Sequence, residues 1–161
     1  VTTILIKPLT VQDFAPFGEA ITLRDSPDKL INQGLCGRHH DLAKMDFSGG
    51  RAGISLFDAE PRGLPYDLNM MERHPDGSQA FLPMTQHAFL VIVAPDTAGQ
   101  PGTPQAFLTA PGQGINFHRN TWHGVLTPLH APGLFAVIDR IGDGPNLEEF
   151  WFDTPYKIVS A

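Results

Sequence analysis

The sequence predicts an all-β fold, a barrel or a sandwich. Three observations carry that reading: the apolar runs are short, turn residues bound most of them, and no run of helical length keeps a 3.6-residue period. There are 16 glycines and 15 prolines in 161 residues, and charged residues make up 17%, below the roughly 25% usual for soluble domains. Gly and Pro occupy what charge leaves, which favours turns over long surface helices. One domain spanning residues 1–161 is expected, because a single barrel of this size buries a core of its own.

The elements follow in order. Thr2 to Ile6 alternates and is rich in β-branched residues, so it reads as a strand; Thr10-Val-Gln-Asp-Phe follows as one helical turn capped by Thr10. Arg24 to Lys29 is a polar loop holding Pro27, and Leu30 to Leu42 reads as irregular strand. Further strands are expected at Gly53–Phe57, Leu68–His74, Ser78–Met84, Ala88–Ala94, Gln105–Thr109, Gly114–Phe117, Thr121–Leu126 and Leu134–Arg140. A late helical turn is expected at Asn146 to Trp151, with Asn146 as its cap and Glu148 and Glu149 near the positive end of its dipole.

Composition excludes several function classes. A formal net charge of -6, from 17 acidic against 11 basic side chains, offers no field for phosphate backbones or anionic lipid. No nucleic-acid or membrane partner is expected. The apolar run Ala88 to Ala94 falls far short of the roughly 20 residues that span a bilayer, and no basic-then-apolar leader opens the chain. A single cysteine, Cys36, cannot form an intrachain disulfide, which fits a reducing cytoplasm.

Chemistry concentrates in two segments, MERHPDGSQAFLPM (Met71–Met84) and GQGINFHRNTWHGVLTP (Gly112–Pro128). On a strand the period of two puts Glu72 and His74 on one face and Arg73 on the other. Pro75-Asp76-Gly77 has the residues of a tight turn, expected to fold a hairpin that brings Gln79 to the same face. Glu72-x-His74, four residues, then Gln79 resembles an altered copy of the first cupin motif. In the second, His123 falls on the remaining metal-ligand histidine, while His118 and Asn120 replace the usual proline and glycine. The resemblance implies a cupin-like, jelly-roll type β-barrel with a few short helices.

Four longer strings, INQGLCGRHHDLA (Ile31–Ala43), ERHPDGSQAFLPM (Glu72–Met84), GINFHRNTWHGVL (Gly114–Leu126) and VIDRIGDGPNLEE (Val137–Glu149), resemble the signature segments of ureidoglycolate lyases. That resemblance covers nearly the whole chain. It implies a homodimeric carbon–nitrogen lyase that converts ureidoglycolate to glyoxylate and urea in allantoin degradation, with nickel or another divalent metal and no organic cofactor. A metal-dependent cupin oxygenase or isomerase, and a non-catalytic binder of small carboxylates, are the alternatives.

Such an elimination needs a base at the hydroxyl oxygen and an acid at the ureido nitrogen, and imidazole serves either role near neutral pH. His118, His123 and Glu72 are the expected catalytic residues, with direction unassigned. His74, His123 and Glu72 are the expected metal ligands. Gln79, Arg38, Arg140 and His40 are expected to bind substrate, an arginine fork being suited to its carboxylate. Arg73 and Arg119 are demoted by strand parity. His39, His87 and His130 lack a partner pattern, and Cys36 lacks an adjacent base.

Overall fold

Sixteen strands and one helical turn make up the computed structural model, which describes residues 1–161. β1 (Thr3–Pro8) leads into α1 (Val11–Phe14) and β2 (Gly18–Ile21); a small hairpin, β3 (Lys29–Ile31) and β4 (Cys36–Arg38), precedes the long β5 (Arg51–Ala59). Then come β6 (Tyr66–Arg73), β7 (Gln79–Pro83), β8 (Phe89–Ala94), and a ribbon of β9 (Asp96–Thr97) and β10 (Gln100–Pro101). β11 (Gln105–Leu108), β12 (Gly114–Phe117), β13 (Trp122–His123), β14 (Thr127–Pro128), β15 (Gly133–Ile141) and β16 (Glu148–Val159) complete the chain.

The strands form a closed ring and a second sheet. In the ring, β11, β1, β16, β6, β13 and β8 pair in that order, and β8 returns to β11. One register pair, His123 opposite Glu72, joins β13 to β6. The second sheet runs β2-β12-β7-β15-β5. This is the all-β, barrel-containing class that the sequence predicts.

Strand parity divides the apolar residues between two cores. Leu90, Ile92 and Ala94 of β8 point into the ring with Ile6, Leu68, Met71, Ala106, Trp122 and Ile158. Phe89, Val91 and Val93 point the other way, against Phe81, Ile115, Phe117, Phe135 and Val137 of the five-stranded sheet. β8 is buried on both faces, which explains an unbroken apolar run where a half-buried strand would alternate. Thr10 caps α1 by accepting the Asp13 N–H at 3.1 Å, and the turn delivers Phe14, fully buried, edge-on to Phe107 at 5.9 Å. Burying such a ring contributes roughly 1.5–3 kcal/mol.

Two local expectations are overturned. Residues 148–151 form no helix; they begin β16 and pair with Arg73–Met70. A six-residue helical signal cannot offset the cost of helix nucleation when a long partner strand offers a ladder. The Pro75–Gly77 turn does not close a hairpin either, since β6 lies in the ring and β7 in the second sheet. Gln79 therefore sits across the interior from Glu72 and His74. The Thr121–Leu126 strand contracts to Trp122–His123, and the rest of that run passes on to β14.

Candidate active site

The candidate site lies between the outer wall of the ring and the inner face of the five-stranded sheet. Trp122 turns into the ring core, so its neighbour His123 turns out of it, and Met71 and Glu72 divide in the same way. The His123 ring, 2% exposed, lies flat on Phe117 of the second sheet, with centroids 4.3 Å apart and planes at 6°. His74, just past the end of β6, brings its ring to 5.2 Å from that of His123. Its Nε2 is 3.9 Å from Glu72 Oε1.

Hydrogen bonds fix both imidazoles. His74 Nδ1 lies 2.8 Å from the Asn146 carbonyl oxygen and His123 Nδ1 lies 2.8 Å from that of Gly124. A carbonyl only accepts, so each Nδ1 carries a proton, and in a neutral ring Nε2 then presents a lone pair. Both Nε2 atoms are buried without a partner. Asn146 also accepts the Asp76 N–H through Oδ1 at 2.7 Å, and Asn120, in the left-handed region at φ 67°, donates its N–H to the His74 carbonyl at 3.0 Å. The chain on both sides of the cluster is thus pinned to His74 and the turn after it.

These residues fit a divalent metal. One ligand atom from each of Glu72, His74 and His123 lies within 4.8 Å of the others. Imidazoles whose second nitrogen donates to a backbone carbonyl are the usual arrangement around a bound metal. Two buried, orphaned lone pairs aimed toward one carboxylate are costly unless a cation or a proton donor joins them.

Burial sets the electrostatics. It pushes the His123 imidazole down to about 3, with the nearby His74 adding to the effect, so His123 is neutral at physiological pH. Burial raises the Glu72 carboxyl above its ordinary value; His74 opposes the shift and Glu149 reinforces it. In metal-free protein the His123 shift has a consequence for stability. Between about 6.5 and about 3 the unfolded chain takes up a proton that the folded chain refuses, so this residue lowers stability as pH falls through that window. Glu72 acts with the opposite sign over a window that begins at 4.5 and extends upward. In denaturant titrations of chelated protein from pH 7 to 4, wild type should lose stability relative to His123→Gln; a difference independent of pH would contradict the burial of a neutral imidazole.

The structure does not bring every expected residue here. His118 is one residue past Phe117, so it turns to the outer face of the five-stranded sheet. There its side chain is 46% exposed and its Nε2 is 3.6 Å from Glu19. It lines a separate recess with Lys44, Asp46 and Arg119, and the pairing of His118 with His123 is corrected on that ground. Arg140 gives its guanidinium to the Ser48 and Asp143 carbonyls. Arg38 sits exposed on the β3–β4 hairpin, and the exposed His40 donates its backbone N–H to Asp28. Arg73 stacks on Trp122 and bonds Glu148 and Asp96, while Arg119 donates to the Pro75 carbonyl.

Gln79 does face the interior, opposite Phe117 and Asp139 in the register. Phe117, Asn146 and Asp139 also border the candidate site, and none of them is among the residues expected from the sequence. Phe117 and Asp139 had a usable signal, since both share Gln79's parity once the strands are aligned; Asn146 had none, because its part is a backbone carbonyl and a turn contact.

The ureidoglycolate lyase family profile matches residues 1–159. The chain belongs to the ureidoglycolate lyase family. It is 60% identical over 156 residues to the ureidoglycolate lyase of Rhodobacter capsulatus, covering 96% of this chain and 97% of the relative. It is 52% identical to that of Chelativorans sp. (96% and 95% covered) and 52% identical to ureidoglycolate lyase 2 of Rhizobium meliloti (97% and 97%). Three of the four strings that resemble ureidoglycolate lyases supply the two facing walls of this interior: the second Glu72, His74 and Gln79, the third Phe117 and His123, the fourth Asp139 and Asn146. The first forms the β3–β4 hairpin and the loop after it.

Proposed function

We propose that this chain is a ureidoglycolate lyase that eliminates urea from ureidoglycolate, leaving glyoxylate, in the recovery of purine nitrogen by way of allantoin. What carries the reading is the convergence of Glu72, His74 and His123 in a chain of this family. In the reaction the substrate hydroxyl loses its proton, its oxygen forms the aldehyde carbonyl, the carbon–nitrogen bond breaks, and the departing nitrogen takes up a proton. No redox partner and no water are consumed.

Hydroxyl and ureido nitrogen share one carbon, so a single carboxyl group can take the proton from oxygen and return it to nitrogen. Glu72 suits that relay because burial raises its pKa toward the operating range, where a base that accepts can also donate. His74 and His123 present fixed lone pairs at Nε2 that orient the reacting centre. The same three residues would hold nickel or another divalent ion, which supplies a positive charge beside an anionic substrate and polarises oxygen. The arginines near the cluster, Arg73, Arg119 and Arg140, are engaged elsewhere, so carboxylate binding falls to such an ion or to a group from a second chain.

Residues 1–161 work as one domain in this reading, and the enzyme is a cytoplasmic homodimer. No helix is long and apolar enough to cross a membrane. β5 is an edge strand of its sheet, and its outward residues Ile54 and Leu56 are 77% and 63% exposed, an apolar edge of the kind that pairs with a second copy. Light scattering should give twice the chain mass; a monomer at micromolar concentration contradicts the dimer.

The activity is tested by following glyoxylate and urea in parallel from ureidoglycolate, with and without nickel. Both should form in equal amounts above the spontaneous rate. Ammonia in place of urea would assign an amidohydrolase, and neither product would remove the lyase reading.

A further inference from the structure

Gln79 is 7% exposed on β7, and its Nε2 donates to Asp139 Oδ2 at 3.1 Å. An ionised carboxylate only accepts, so Asp139 fixes which way the amide lies: nitrogen toward Asp139, oxygen away from it. That oxygen, Oε1, is buried and has no partner. Gln79, Phe117 and Asp139 are opposite one another on adjacent strands and share the interior face, and Phe117 lies flat against His123. A buried carbonyl oxygen lacking a donor is therefore held on the wall that faces the cluster, next to the ring that stacks on His123.

The chemistry of the substrate narrows what that oxygen accepts. In ureidoglycolate the carboxylate has no hydrogen to give, and the hydroxyl proton must go to the base. The nitrogen of the breaking bond must itself gain a proton. That nitrogen keeps its own hydrogen, but the acid must reach it; the terminal amino group of the ureido portion is the donor that no step of the reaction engages. We infer that Gln79, oriented by Asp139, accepts from that terminal amino group and so selects a urea as the leaving group, with Asp139 as a positioning residue. This rests on the lyase reading above.

The test compares ureidoglycolate with the glyoxylate adduct of acetamide, in which methyl replaces the terminal amino group, by glyoxylate release. Wild type should prefer ureidoglycolate by about 10-fold or more in kcat/KM, since a site built to bond an N–H rejects an analogue lacking it. Asp139→Asn can donate to Oε1 and let the amide turn over, so most of that preference should disappear through a higher KM for ureidoglycolate. Its kcat/KM for the acetamide adduct should fall by several-fold less than that for ureidoglycolate. Asp139→Glu should keep the preference. Gln79→Met, which retains volume and leaves Asp139 in place, should lose it, and this variant decides the acceptor role if Asp139→Asn fails to fold. Equal losses on both substrates, a wild type with no preference, or Gln79→Met with full preference would overturn the inference. Failure of wild type to act on either adduct would instead remove the lyase reading beneath it.

Discussion

Replacing His123 with alanine should lower kcat for urea release by about 10³-fold, with a smaller change in KM. Nε2 of His123 is one of two orphaned imidazole nitrogens in the cluster, and Nδ1 is tied to Gly124 so that Nε2 cannot turn away. The substitution removes that lone pair and the face stacked on Phe117, and it opens the pairing between β13 and β6 to water. Loss of packing alone costs stability, and a cavity of that kind costs about 2–5 kcal/mol; it does not by itself produce a turnover defect in protein that remains folded. The decisive comparison is steady-state kinetics at a temperature where circular dichroism shows the variant folded. Near-normal kcat with a raised KM would make His123 an anchor for substrate and not part of the reacting centre.

Glu72→Gln should cost about 10²–10³-fold in kcat while leaving the fold intact, because the amide keeps the shape and loses the proton-carrying oxygen. The pH profile distinguishes this from a general disturbance. Burial raises the Glu72 carboxyl in metal-free protein, so with a chelator present the wild-type rate should climb with pH through a midpoint above the ordinary glutamate value of 4.5 as the carboxylate forms. The variant should lack that rise. It should also bind nickel at least about 10-fold more weakly, as one of the three candidate ligands loses its charge. An unchanged profile in Glu72→Gln would move the proton relay to another group.

Strand parity was the most productive signal in the sequence, and its limits were geometric. It separated Glu72 from Arg73 correctly in kind: Arg73 stacks on Trp122 while Glu72 faces His123. The same rule, applied to Phe117 and His118, would have sent them to opposite faces, but which of the two faced Glu72 depended on a sheet alignment that no local pattern encodes. The apolar run of β8 announced burial on both sides and hence two cores. The late helix was misread because the cap and acidic first turn at Asn146 to Glu149 are local signals, whereas pairing with β6 is made across more than 70 residues. Asn146 nonetheless serves the site, through its carbonyl on His74. Arg38, Arg140 and His40 drew attention for their chemistry, and only the folded chain shows Arg140 holding the loops at Ser48 and Asp143.

The most direct measurement is a crystal structure of the chain with glyoxylate bound. Density for the ligand should lie against Glu72, His74 and His123, with Gln79 on the side from which urea departs. Glyoxylate seated instead in the outer recess between His118 and Glu19, with the Glu72 cluster unchanged, would contradict the account.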